Sequence, residues 1–564
     1  MANQYVNEVI YNGNTLISLK EDTAESADVL MGKRFHLADG SIAIGTASSS
    51  AGCTLTVVGE AGDTVVITKK GEEKPAQPAQ TIGEDGTTVF TGLSNGVWTI
   101  TMSDETDTVS KDLNISTEYD ITLSYFTATV AVTYPAESTC TVLKDGETES
   151  TPAPDDSGIW NCIIFSKGKY TFTCTNEAGD STSDVVIVET NGESVGLTLR
   201  YAKIYGIRRD IYGTSSAWAR TDDAIGKNAA ASIASAVKTS DFDSCYPWNG
   251  IKRTSIGNDI MVQIPKFWYK RVRVAEDDTT MEYIKIADKP ADGFKLHPAF
   301  NHGGVEVDYI DVGAYKTYEN TSVAGKAPQN KLTREQFRTN AQGKGNGWGI
   351  IDISTLSAIQ MLILVEFANN NVQDATVGIA PGYTNSANTG TKKTGTCEGV
   401  YRLTGRPSGT ADKVGVIWRG IEDLWGNIWE WVDGVNWNDG VYSICNDPSA
   451  YIDNVNSSSN ASYSELTSRG VTNWSSSYIT QESYEEGEFD WVMLPTEAGG
   501  GNSSTYYCDA CWSSTGWRVF ERGGGWGSDA RCGLFAAILS DASSYSNASY
   551  GCRLIYIPSS TSSE

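Results

Sequence analysis

The chain has 564 residues, 40% of them hydrophobic, with 16 Trp and 27 Tyr, enough for several packed cores and too much for global disorder. Its formal charge of -27 at pH 7 argues against a nucleic-acid binder and against an anionic membrane surface, since both need an excess of Lys and Arg. The acidic residues are spread along the chain and serve solubility.

The opening MANQYVNEVIYNGNTL lacks a basic segment followed by an apolar one, so no secretory signal is expected. No stretch approaches the ~18 apolar residues of a membrane span, and no membrane insertion is expected. Residues 1–48 read as a short β-rich module. Val9, Tyr11, Leu16 and Ser18 alternate around the Asn12-Gly13 turn signal, which predicts a strand or two. The Ser/Gly run after Ala47 reads as a linker.

An internal repeat follows. GDTVVITKKG, GVWTITMSD and YDITLSY recur as STCTVLKDG, GKYTFTCTN and VGLTLRY, with Gly71 matching Gly146, Trp98 matching Tyr170 and Tyr125 matching Tyr201, about 75 residues on. Each copy is rich in Thr and Val, alternates with period two and carries Gly or Asp turns, the pattern of a small β-sandwich. Two tandem immunoglobulin-like domains are expected at 49–125 and 126–200. Neither brings catalytic groups together, so both read as spacers, with glycan binding by their loops as the alternative.

From 201 to 564 the strands shorten and Trp and Gly become frequent, as in one large α+β domain. The segment STLSAIQMLILVEFANNN predicts a helix with Leu356, Ile359, Ile363 and Phe367 on one stripe, capped by Ser354 or Thr355. DDAIGKNAAASIASAV, around 222–237, is a weaker candidate because Gly226 interrupts it. His36, His297 and His302 leave little material for a histidine-based metal or catalytic centre, and His297 and His302 read as loop residues. The eleven cysteines are scattered and odd in number, with Cys508 and Cys511 as one CxxC without a second half. A disulfide scaffold is not expected, and synthesis in a reducing compartment fits.

Three segments carry a family resemblance: GIEDLWGNIWEWVDG (420–434), GWRVFERGGGWGSDARCGLF (516–535) and SYGCRLIYIP (549–558). In that order they resemble the formylglycine-generating-enzyme branch of the C-type-lectin fold, which also contains the variable proteins diversified by retroelements in phages and bacteria. Upstream, IYGIRRD, WARTDD, PWNGIKR, IPKFWYKRVRV, KPADGFKLHPAF and the helix containing Gln360 are similar to tail proteins of phages infecting gut bacteria. VIYNGNTLISL resembles their virion-attachment segments. Within the motifs, Trp425, Trp429 and Trp431 read as core, and Gly426-Asn427 as a turn that tolerates left-handed backbone. Glu430 and Asp433 read as internal partners of Arg518, Arg522 or Arg553. Gly523, Gly524 and Gly525 let the backbone approach closely or take positive φ beside Trp526. They do not form a phosphate loop, since no GK[ST] follows.

The resemblance implies three readings. A sulfatase-cysteine oxidase of this kind uses two cysteines soon after RGGxW to hold a soft metal such as copper(I), and here only Cys532 occupies that window. Calcium-dependent sugar binding would use Trp437-Asn438-Asp439, which has no Glu-Pro-Asn or Gln-Pro-Asp partner upstream. The third reading is a variable binding surface. Trp526, Gly533, Leu534, Phe535, Leu539, Gly551, Arg553 and Leu554 form its frame, and a paratope-like vocabulary lies between them. The residues expected on that face are Gly527, Ser528, Asp529, Ala530, Arg531 and Cys532, then Ala536, Ala537, Ser540 and Asp541, then Ser543, Ser544, Tyr545, Ser546, Asn547, Ser549 and Tyr550. Tyr506, Tyr507, Asp509 and Trp512 are expected to join them. An ordinary Ser- and Asn-rich surface loop is the plainer alternative.

The resulting expectation is a multidomain phage tail fibre that is not an enzyme. Residues 1–48 attach it to other tail proteins, two sandwiches act as spacers, and the 201–564 head binds a host cell-surface protein or glycan. It would be a homotrimer, assembled in the host cytoplasm and carried on the virion tail, with no metal, cofactor or catalytic residue. A bacterial surface or secreted adhesin with the same head is the alternative, and a formylglycine-generating-type oxidase the second.

Overall fold

The computed structural model describes residues 8–11, 14–18, 33–37, 41–44, 53–116, 119–135, 137–148, 158–177, 179, 181–229, 232–233, 240–375, 391–400, 404–406 and 414–559. The chain forms two units, Met1–Gly179 with Ser183–Arg200, and Tyr201–Glu564 with Asp180–Thr182. In the first, Glu8–Tyr11 pairs antiparallel with Asn14–Ser18. The Asn12-Gly13 turn between these strands, and the Ser/Gly linker, lie outside the described residues.

The repeat produces two sandwiches of identical strand order. In the first, Thr87–Leu93, Cys53–Val58 and Tyr119–Thr122 form one sheet, and Gln80–Thr81, Thr64–Lys69, Gly96–Ser103 and Thr108–Ile115 the other. In the second, Ile159–Ile164, Ala128–Thr133 and Ser194–Thr198 face Glu147–Thr148, Thr139–Lys144, Gly168–Thr175 and Ser181–Val188. Seven strands in two sheets are immunoglobulin-like. Their distribution is their own: the first, fourth and seventh strands share a sheet, whereas a constant-type domain places the first, second, fourth and fifth together.

The fifth strands of the two copies match in burial position by position: Gly96–Ser103 and Gly168–Thr175 carry their buried residues at the same places, with Trp98 and Tyr170 both in the core. The Trp98 indole donates to the Ser94 carbonyl and the Tyr170 hydroxyl to the Ser166 carbonyl, both at 2.9 Å. Gly71 and Gly146 both take positive φ in the turn after the second strand, where a side chain would strain the backbone.

No disulfide scaffold is expected from the sequence, and one bond is present. Cys140 and Cys174 lie directly opposite each other on adjacent strands and are joined by it. The other nine cysteines form no disulfide.

The second unit is built on larger sheets. Its widest runs through Ser464–Arg469, Val441–Ile444, Trp429–Asn438, Trp517–Arg522, Ala537–Leu539, Ala510–Ser513, Ser477–Glu482 and Pro495–Ala498. A five-stranded sheet inserts the late strand Leu554–Tyr556 between Tyr309–Gly313 and Trp348–Ile350.

The helix expected near 354–371 spans Ile353–Phe367, and it is buried on every side from Ile353 to Glu366, not along one stripe. Apolar residues all round mark a helix that passes through a core. Its cap is Asp352, whose carboxylate accepts from the Thr355 N–H at 2.7 Å, and not Ser354 or Thr355. In the weaker helix candidate Asp222 ends the strand Ala219–Asp222, and the described residues 223–229 are turns and irregular chain, with a short strand at Ser232–Ile233. A helix that was not expected, Arg334–Gln342, starts at a capping box made by Thr333 and Gln336.

Candidate ligand-binding cleft

The three motif segments meet in space. Trp429–Asn438 pairs antiparallel with Trp517–Arg522 and parallel with Tyr550–Gly551, so that Glu430 sits beside both Arg522 and Gly551. The Glu430 carboxylate accepts from Arg522 Nη2 at 2.5 Å and from Arg553 Nε at 3.0 Å, and Lys316 Nζ lies 3.4 Å away. These cations hold the buried Glu430 carboxyl down to about 2 despite desolvation, so it is a structural anion. Asp433 takes different partners. It accepts from Arg338 at 2.6 and 2.7 Å, while Arg518 donates to the Trp517 carbonyl and the Ser514 hydroxyl.

The loops around this knot are set by local chemistry. Gly426 and Asn427 both take positive φ, and the Asn427 side chain bonds Asp423 and the Lys392 backbone. Gly524 also has positive φ, and a Cβ there would come within 3 Å of Cys532. This geometry turns the chain after Arg522 and delivers Trp526 to the surface.

Beside Trp429 this turn, the Ala537–Leu539 strand and the loop that follows it enclose an open cleft of about 330 Å³. Four aromatic residues line it: Trp429, Trp512, Trp526 and Tyr550. Trp429 and Trp512 meet edge to face with ring centroids 5.6 Å apart, and Tyr545 packs against Tyr550 at 5.7 Å. Between the rings come Gly525, Gly527, Ser528, Arg531, Ile538, Ser540, Asp541, Asn547 and Ser549.

The polar lining is held in place. Arg531 bonds Asp529 at 3.0 Å and the Ser476 hydroxyl at 2.5 Å. Asn454 donates to Ser543 at 2.6 Å, Asn547 to the Tyr545 hydroxyl at 3.0 Å, and the Trp429 N–H to the Ser549 carbonyl at 2.9 Å. The loop is thus anchored at Ser543, Asn547 and Ser549, while Ser544, Tyr545 and Ser546 project into solvent. Burial raises the Asp541 carboxyl above its ordinary range, against the lowering effects of Tyr550 and Arg518.

Several residues expected on the face are elsewhere. Tyr507, Asp509, Cys532, Ala536 and Ala537 are buried. The Asp509 carboxylate accepts from the Phe535 N–H at 2.7 Å, and Tyr507 packs between Phe535 and the Arg209 guanidinium. Cys532 donates to the Gly523 carbonyl at 3.1 Å, and burial pushes its thiol well up. Ala536 and Ala537 belong to the packed strand region. Tyr506 is half-buried away from the cleft, its carbonyl bonded by Asn370 at 2.7 Å. Gly527 and Ala530 are exposed and Asp529 is half-buried on the turn.

Four lining residues, Trp429, Gly525, Trp526 and Ile538, lie outside the face expected from sequence, in which Trp429 reads as core and Trp526 as frame. The spacing of Trp526 after three glycines was the available signal for a half-buried ring at the cleft. The histidines expected in loops are buried: His297 accepts from the Ala299 N–H at 3.2 Å and His302 bonds the Ala299 carbonyl at 2.8 Å. Asp439 accepts from the Gly516 N–H at 2.7 Å and so closes a turn. Among the described residues no three His, Cys, Asp or Glu side chains cluster as metal ligands.

Neither a protein-family model nor a curated protein matches the chain. Among solved structures it is similar to the Bacillus anthracis TIE protein, at 12% identity over 30% of this chain and 42% of that one, with a TM-score of 0.13. The chain therefore spans well under half of that protein. The minor pilin GBS52 of Streptococcus agalactiae gives 12% identity over 26% of this chain and 96% of that one, TM-score 0.12. A streptococcal ancillary pilin gives 10% over 46% and 88%, TM-score 0.14. Superpositions this loose leave the architecture to rest on the strand order above.

Proposed function

We propose that this chain is the receptor-binding protein of a phage tail, gripping a ligand on the host bacterium through the aromatic cleft of its C-terminal unit. The carrying observation is that cleft: concave, with four aromatic rings among fixed polar groups, the composition of a recognition site. The head is read as C-type-lectin-like, supported by the meeting of its three motifs around Glu430. The N-terminal module attaches to other tail proteins, and three copies of the chain combine their heads for avidity. A retroelement of the kind the resemblance implies would diversify the tip of the 540–550 loop, which joins the strands Ala537–Leu539 and Tyr550–Gly551.

Cys532 supports binding over oxidation, since it stands alone in the window after RGGxW, where a soft metal would need a pair, and its thiol bonds the Gly523 carbonyl. The test is attachment of the labelled full chain to a panel of bacterial isolates. Trp512→Ala, with an unchanged far-ultraviolet circular dichroism spectrum and a cooperative thermal melt, is expected to abolish it. Attachment to none of the panel, or undiminished attachment of a folded variant, refutes the reading.

A further inference from the structure

We infer that the cleft takes an electrically neutral saccharide, one or two pyranose rings at the end of a surface glycan. This rests on the receptor-binding reading and names its ligand class. The volume, about 330 Å³, is at the small end of ligand sites, so the ligand enters as a compact group. The C–H edges on one face of a pyranose carry partial positive charge and pack flat against the negative face of an aromatic ring. Trp512, Trp526 and Tyr550 supply such rings at the rim.

A sugar's remaining periphery is hydroxyl, each a donor and an acceptor. Asp541 lines the cleft beside Tyr550, and its carboxyl is of the kind that accepts from a sugar hydroxyl. Ser528 Oγ already accepts from the Gly525 N–H at 2.9 Å, which leaves its own O–H to donate. Charge selects against acidic sugars. Arg531 is neutralised by Asp529 at 3.0 Å, so the carboxyl of Asp541 sets the local sign. A protein receptor is disfavoured by the rim: Tyr545 is the one large apolar side chain of the 527–550 segment counted as exposed, at 39%, and Ser, Asn and Gly surround it. Stable protein interfaces bury roughly 800 Å² per partner, far more than a cleft of this size offers.

The experiment uses a bacterium to which the full chain attaches, treated either with periodate, which cleaves vicinal diols, or with protease. Periodate is expected to remove attachment and protease to spare it. Asp541→Asn is expected to weaken attachment about tenfold, the loss of a charged hydrogen bond. Loss after both treatments is decided by adding glycan released from those cells: competition supports the saccharide, and its failure overturns it. Loss after protease alone overturns the saccharide but leaves the receptor reading standing. Wild-type attachment by folded Trp512→Ala overturns both.

Discussion

Arg553 embraces Glu430: its Nε donates at 3.0 Å and its Nη2 lies 2.8 Å from the same carboxylate oxygen, with both side chains buried. Arg553 also donates to the carbonyls of Gly313 at 2.7 Å and Glu422 at 2.6 Å, so one guanidinium ties the last motif to the first and to the five-stranded sheet. Removing the anion leaves Arg522, Arg553 and Lys316 mutually repelling in a dry interior. Glu430→Gln is therefore expected to cost about 3–5 kcal/mol, read as a lower urea midpoint. A change below about 1 kcal/mol would show that the three cations find other partners.

Trp431 and Tyr545 separate fold from recognition. Trp431 is fully buried and bonds the Leu332 carbonyl at 3.2 Å, so Trp431→Ala is expected to destabilise by about 3–5 kcal/mol. Tyr545 is 39% exposed on the anchored loop, so Tyr545→Ala should shift stability by no more than about 1 kcal/mol while weakening attachment. Paired thermal melts and cell-binding curves check this. Equal destabilisation by both would place Tyr545 in the core.

How far the sequence discloses this structure depends on the range of the interaction. Gly426-Asn427 and the matched Trp98 and Tyr170 are local or periodic signals, and each has its expected conformation or place. The Arg334–Gln342 helix was equally legible, because Thr333 and Gln336 stand at capping-box spacing. The Cys140–Cys174 pair was not, since it depends on which residues of two strands stand opposite. For Ile353–Phe367 the surrounding sheets decided burial, which the stripe of Leu356 and Ile359 does not encode. At the cleft, polarity misled: Asp509 and Cys532 resemble surface residues in sequence, yet each bonds backbone from a buried site.

Thiol chemistry tests that burial. Of the nine cysteines outside the disulfide, Cys53 is half-buried and the rest are buried. Burial pushes Cys508 and Cys552 up to about 12, leaving little thiolate at neutral pH. The native chain is expected to show one fast-reacting thiol with a maleimide, removed by Cys53→Ser and unaffected by Cys532→Ser. Urea should expose all nine. A fast phase that depends on Cys532 would mean an accessible thiolate beside the cleft and would reopen the oxidase reading.

His297 gives the second unit a defined acid sensitivity. Burial, aided by His302, holds its imidazole down to about 3, against about 6.5 for a free side chain. Between those values the unfolded chain binds a proton that the folded chain refuses, so the contribution to stability is present above about pH 6.5 and is lost as pH falls. The carboxyls of Asp509, Glu482 and Glu521 are raised by burial and shift the opposite way, gaining stability on acidification. The absolute slope therefore mixes both effects, and the diagnostic quantity is a difference. From about pH 7 to about pH 5, the urea midpoint of wild type is expected to fall relative to that of His297→Gln, whose side chain does not titrate. Identical pH dependence in the two proteins would mean that the His297 ring is protonated, or solvated, in the folded chain.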